Sequence, residues 1–338
     1  MEEHLLFVIA APRSGSTLLA RMLGAHSRIT APAELHLLTP LAHLGFHERV
    51  DAAPYDPIIT QRGLREMVAA LPNGEADYLA ALRACTDSIY AKLLEPSGCD
   101  VLLEKTPAYA LVLDFLTQLY PRARYVVLTR NPLAVWSSVV QSFFDGDHEE
   151  AERVSPGLGR FVPAIARFLR ERPVPIHPLH YEDLVSEPDT AARALCDFAG
   201  LAFEPGVIDY GATSNGPAEA AKGLGDPITV ARETRPTTRS IARWAEDMAG
   251  DPAKLEQARR ILAHLTDDDL ETWGYPRAEL EAELAAIPTG GARQGGRGTS
   301  RYTLERKLLG TVRRQVHRRK GLAGLVRKCR EACDLLLR

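Results

Sequence analysis

Apolar positions along the 338-residue chain fall into short continuous runs separated by stretches of helical spacing. The runs at 5–10, 101–104, 125–129 and 174–181 are too short for buried helices and rich in branched or aromatic residues, which predicts β-strands covered on both faces. Pro175 and Pro178 interrupt the last run, so it is expected to bulge or to lie near a sheet edge. Helical spacing follows at 76–95, 109–119 and 132–143, and Leu18-Leu19-Ala20-Arg21-Met22-Leu23 opens another helix. Strands alternating with helices predict an α/β fold: a three-layer arrangement with a central parallel sheet flanked by helices. Ligands of such sheets lie at the carboxyl ends of the strands. Arg13, Lys105 and Arg130 each follow or end a predicted strand and so share one crevice.

Two segments break the alternation. Residues 36–75, rich in Leu, His and Pro, lack strand periodicity and are expected to form a cap. Residues 211–240 are poor in apolar side chains and contain Gly211, Gly216, Gly223 and Gly225, which predicts a long loop. A glycine-rich linker, 290–298, precedes a stripe of Leu304, Leu308, Val312 and Val316 set among arginines. This is the pattern of a basic amphipathic helix. The chain is therefore expected to divide into a body, 1–288, and a basic tail, 289–338.

Charge sharpens that division. The whole chain carries −3, but the tail holds 14 Lys or Arg against Glu305, Glu331 and Asp334. Its net +11 leaves −14 on the body. The tail is expected to bind an acidic protein surface, on this chain, a second copy or a partner. No nucleic-acid motif accompanies the charge. The acidic start Met1-Glu2-Glu3-His4 does not read as a secretory signal, and no apolar run is long enough to span a bilayer. Five scattered cysteines fit a reduced, cytoplasmic setting. No clustered metal ligands stand out, and no metal is expected.

The first strand feeds Ala11-Pro12-Arg13-Ser14-Gly15-Ser16-Thr17-Leu18. Strand, tight loop and helix start form a phosphate cradle, because the first helical N–H groups and the helix dipole favour an anion. The spacing approaches the nucleotide-kinase loop G-x-x-x-x-G-K-[ST], but Ala10 replaces the first Gly and Ser16 stands where the Lys belongs. That Lys reaches the outer phosphates of ATP, so its loss argues for another phosphate-bearing ligand.

The segment 12–18 resembles the 5′-phosphosulfate loop of sulfotransferases that use 3′-phosphoadenosine 5′-phosphosulfate (PAPS). Ala33-Glu34-Leu35-His36-Leu37-Leu38, Glu104-Lys105-Thr106-Pro107, Thr129-Arg130-Asn131-Pro132 with Ser138, and His180-Tyr181-Glu182-Asp183 recur in the family's order. The chain is closest in these motifs to tyrosylprotein-sulfotransferase-like enzymes and to the sulfotransferase domains of polyketide synthases. The resemblance implies that Arg13, Ser14, Gly15, Ser16, Thr17 and Leu18 bind the 5′-phosphosulfate. It further implies that Arg130 and Ser138 bind the 3′-phosphate, with Tyr181 and Arg243 nearby and the 211–240 loop over the nucleotide. Lys105 would stabilise charge between the sulfo group and the leaving phosphate of the product PAP. Glu34 is the expected general base, with His36 its rival. The family's usual second Arg after the Ser is replaced by Ser142 and Phe143. The expected acceptor is a hydroxyl of a small metabolite or of an acyl or peptidyl intermediate, free or carrier-bound. An ATP-dependent kinase and a non-catalytic PAP-binding protein remain the alternatives at this point.

Overall fold

The computed structural model describes residues 1–35, 37–42, 57–144, 146–154, 157–211 and 233–289. His36, most of the 211–240 loop and the basic tail from residue 290 on lie outside the described residues. Five parallel strands form one sheet: β1 (Leu5–Ala10), β2 (Ile29–Thr30), β3 (Val101–Glu104), β4 (Arg124–Thr129) and β5 (Ile176–His180), in the order β2-β3-β1-β4-β5. The chain leaves β1 toward β3 on one side and later returns to β4 on the other. The switch in direction at β1 opens a crevice at the carboxyl ends of β3, β1 and β4. The proline-bearing strand lies at the sheet edge, where Pro178 sits opposite Val127 in register. The two-residue β2 is too short for its periodicity to be read.

The side-chain alternation of β1 divides the core. Leu6, Val8 and Ala10 face α1 (Ser16–Gly24) and, further along the chain, helices that pack on the same side. Leu5, Phe7 and Ile9 face the larger layer. That layer begins with α2 (Leu38–Ala42), α3 (Pro57–Ala69) and α4 (Glu75–Leu94), the first two being the described part of the expected cap. The 109–119 pattern is not one helix. It is a 3₁₀ turn, Pro107–Leu111, and α5 (Leu113–Leu119), parted at Val112, whose φ of −129° and ψ of 32° are not helical. The break turns Tyr109 and Leu113 both into the core.

Next come α6 (Pro132–Phe143), α7 (His148–Val154) and α8 (Gly157–Glu171), with Asn131 capping α6 by accepting the N–H groups of Leu133 and Ala134. The pair α9 (Tyr181–Ser186) and α10 (Pro188–Ala199) returns to the α1 face. Four further helices, α11 (Arg243–Met248), α12 (Pro252–Ala263), α13 (Asp267–Trp273) and α14 (Arg277–Ala286), complete the larger layer among the described residues. Asp247 on α11 ties this group to α6 by accepting from Ser137 at 3.1 Å and Gln141 at 2.8 Å. Among the described residues, no helix is long and apolar enough to cross a membrane.

Candidate active site

The loop after β1 is tight and held in unusual backbone conformations. The Ser14 N–H donates to the Ala11 carbonyl at 3.2 Å, Arg13 has φ +71° and Gly15 has φ +96°. A positive φ at Arg13 is uncommon for a side-chain-bearing residue and marks a conformation imposed by its surroundings. At Gly15 the reason for glycine is visible, because a Cβ there would overlap the Tyr181 ring. Gly15 is also the N-cap of α1 and offers no side-chain cap. The first N–H groups of the helix, at Ser16, Thr17 and Leu18, thus have no carbonyl partner within the helix. The Leu18 side chain is packed in the core, so only its backbone can face a ligand. Ser14 is fully buried, and its Oγ has no hydrogen bond.

Two guanidinium groups converge on this loop. Arg13 Nε donates to Ser138 Oγ at 3.1 Å. Arg130, 8% exposed at the end of β4, donates from Nη1 to the Arg13 carbonyl at 3.0 Å and from Nη2 to the Ser240 carbonyl at 2.8 Å. Its guanidinium lies 4.3 Å from the Tyr181 ring centroid, while Nε is buried with no hydrogen bond. Burial pulls Arg130 below its ordinary pKa and Arg13 adds to that effect, whereas Tyr181 and Glu182 oppose it. An anion placed here would relieve both the repulsion and the unmatched donor. Trp273 Nε1 donates to the Arg130 carbonyl at 2.8 Å and fixes the main chain behind the guanidinium.

At the neighbouring strand end, Lys105 Nζ pairs with Glu34 Oε1, and the two side chains are only 7% and 12% exposed. The extended segment after β2 therefore delivers Glu34 across the crevice mouth to the residue that follows β3. A buried lysine needs an anionic partner, and here the partner is the carboxylate expected to act as base.

The structure thus brings together Arg13, Arg130, Ser138, Gly15 and Tyr181, and separately joins Lys105 to Glu34. Arg243 lies three residues past Ser240, whose carbonyl Arg130 contacts. The Arg243 side chain is exposed at the start of α11 and, among the described residues, makes no hydrogen bond or ion pair with Arg130 or Ser138. The backbone of Ser240 is what that region contributes instead. His36 lies outside the described residues. Sequence reasoning missed Ser240 and Trp273, whose roles depend on a main-chain carbonyl and on a contact 143 residues apart.

Residues 6–205 match the model of the sulfotransferase family. Nodulation protein NoeE of Sinorhizobium fredii (strain NBRC 101917 / NGR234) is 28% identical over 303 residues, covering 83% of this chain and 68% of that protein. Protein-tyrosine sulfotransferase 1 of Danio rerio is 23% identical over 211 residues, 61% of this chain and 56% of that one. Among solved structures, the sulfotransferase domain from the curacin biosynthetic pathway is similar at a TM-score of 0.51 and 26% identity, covering 76% of this chain and 95% of that domain. The family match takes in more than half of the chain and ends just past the helices that follow β5, so it contains the Arg13 loop, Glu34, Lys105, Arg130 and Ser138; the protein belongs to the sulfotransferase family.

Proposed function

We propose that this sulfotransferase takes its sulfo group from PAPS and delivers it to a hydroxyl of a small metabolite or of an acyl or peptidyl intermediate. The observation that carries the reading is the buried Lys105–Glu34 pair set beside an anion cradle with unmatched donors. The residues fit the donor. Ser14 Oγ and Arg130 Nε are buried polar atoms in want of a partner, and the Tyr181 ring occupies the space that any side chain at position 15 would need. The N–H groups of Ser16, Thr17 and Leu18, with Arg13 and the hydroxyls of Ser14, Ser16 and Thr17, would hold the 5′-phosphosulfate. Arg130 and Ser138 would hold the 3′-phosphate; Ser138 accepts from Arg13 and keeps its own O–H to donate.

PAPS supplies an activated sulfo group whose departure leaves PAP. Glu34 accepts the proton of the attacking hydroxyl. The Lys105 ammonium, released from Glu34 as that carboxylate takes the proton, balances the charge gathering on the leaving phosphate. Sparse cysteines support a cytoplasmic setting, and the +11 tail supports docking to an acidic protein surface, own or partner.

Thermal unfolding with nucleotides tests the donor. PAP at about 100 times its Kd should stabilise the protein by roughly 2.7 kcal/mol. ATP with magnesium should not, since Ser16 stands in place of the kinase lysine. Stabilisation by ATP and none by PAP would overturn the assignment. Binding of PAP with no transfer to any hydroxyl would leave a binding protein.

A further inference from the structure

Arg130 and Ser138 lie on either side of one junction, where β4 ends and α6 begins. Asn131 forms that junction, and each of its polar atoms has a partner. Its carbonyl accepts the Val135 N–H at 3.0 Å, and its Oδ1 accepts the N–H groups of Leu133 and Ala134. Its Nδ2 donates to Glu283 Oε2 at 2.9 Å, and its own N–H donates to Glu182 Oε1 at 3.2 Å. The residues before it are fixed as well. Trp273 Nε1 grips the Arg130 carbonyl, and Thr129 Oγ1 meets His180 Nδ1 at 2.8 Å.

These contacts converge on one side chain. Glu182, in the first turn of α9, holds the Asn131 N–H on one oxygen and accepts the Tyr275 hydroxyl on the other. Burial raises the pKa of Tyr275 and Glu182 adds to that, so the phenol keeps the proton it donates. Gly274 sets the approach: its φ is +94°, and a Cβ there would overlap the His180 ring. The Tyr275 ring then meets His180 edge-on, with centroids 5.6 Å apart. Trp273, Gly274 and Tyr275 thus press on the junction from one side, and all three lie beyond residue 205, where the family match ends.

We propose that Glu182 is a positioning residue of the 3′-phosphate site: its carboxylate bridges the Asn131 N–H and the Tyr275 hydroxyl, so that the 273–275 segment holds Arg130 and Ser138 in one arrangement. The bridge stands on these contacts; its service to a 3′-phosphate rests on the PAPS reading above. Arg130 leaves a strand end and Ser138 lies about two turns into a helix. Two donors on different elements meet one phosphate only while the junction between them keeps its angle.

Calorimetric titration of the full chain with PAP and with adenosine 5′-monophosphate, which lacks the 3′-phosphate, reads the effect. Glu182→Ala should weaken PAP binding roughly tenfold and Tyr275→Phe about fivefold, while the monophosphate Kd stays within about twofold of wild type. A residue that acts through Arg130 loses its effect when Arg130 is gone, so Glu182→Ala added to Arg130→Ala should change the PAP Kd by less than about twofold. In Glu182→Gln the amide oxygen keeps the Asn131 N–H and the amide nitrogen donates to the Tyr275 oxygen, so PAP affinity should stay within about threefold of wild type. Equal losses for the two nucleotides, a full loss in the Arg130→Ala background, or a Glu182→Gln variant as weak as Glu182→Ala would each overturn the proposal. Should Glu182→Ala not fold, Tyr275→Phe, which deletes one hydroxyl, decides by the same two comparisons. A wild type that binds both nucleotides equally would sink the 3′-phosphate reading. Amide exchange at Asn131 would then still judge the bridge: it should rise about tenfold relative to β1 in Tyr275→Phe or Glu182→Ala, and no rise would refute it.

Discussion

Lys105 and Glu34 should prove more costly to lose singly than together. Both are largely buried and each is the other's ion-pair partner, so Lys105→Met strands a carboxylate and Glu34→Gln strands an ammonium. Removing one member of a buried pair typically costs about 3–5 kcal/mol, because the remaining charge keeps its desolvation penalty and loses its compensation. This pair sits at the crevice mouth, which argues for the lower end, about 3 kcal/mol for each single variant. The double variant places two groups of similar volume in contact and leaves no charge, so it should fall within about 1–2 kcal/mol of wild type. The coupling energy in the resulting cycle is then roughly 4 kcal/mol or more, well above the 0.5 kcal/mol scatter of independent sites. Urea unfolding of the four proteins at pH 7 measures it, provided the slopes agree. Turnover separates the roles: Glu34→Gln should retain PAP binding and lose ~10²–10⁴ in rate, whereas Lys105→Met should lose both. Additive unfolding energies would show that the pair is not coupled. Near-normal turnover in Glu34→Gln with an inactive His36→Ala would move the base role to His36.

Arg130→Ala should weaken PAP binding by ~1.5–3 kcal/mol, the range for a hydrogen bond to a charged group, and calorimetric titration would show it; an unchanged Kd would place the 3′-phosphate elsewhere. Gly15→Ala faces a positive φ and the Tyr181 ring together. It should destabilise the fold by about 2–4 kcal/mol in urea and reduce PAP affinity, and a fully stable variant would mean that the loop can shift.

What the sequence disclosed follows from how the fold is made. β1, β3 and β4 announced themselves as apolar runs because the sheet is buried on both faces there, and residues at the ends of such runs fall in one crevice by topology alone. Arg13, Lys105 and Arg130 were legible for that reason, before any distance was known. Glu34 was legible through the motif around it, since β2 precedes it by too few residues to mark a strand end. Arg243, which the resemblance sets near the 3′-phosphate, begins α11 with an exposed side chain, while Trp244 beside it fills the core. On a six-residue amphipathic helix, neighbours in sequence cannot share a face.

The residues that sequence left hidden share another property: they act through main chain or through burial. The Ser240 carbonyl, the Leu38 N–H and the Trp273 contact to the Arg130 carbonyl have no signature in side-chain type. The turn at Pro107–Leu111 brings the Tyr109 hydroxyl to the Leu38 N–H. That turn exists because the 109–119 pattern breaks at Val112, a break that spacing alone did not reveal. An unbroken helix would carry Tyr109 away along its axis and leave the Leu38 N–H without its partner. The conformation of one β-branched residue therefore decides whether Leu38, four residues past the proposed base Glu34, keeps its hydrogen bond to Tyr109.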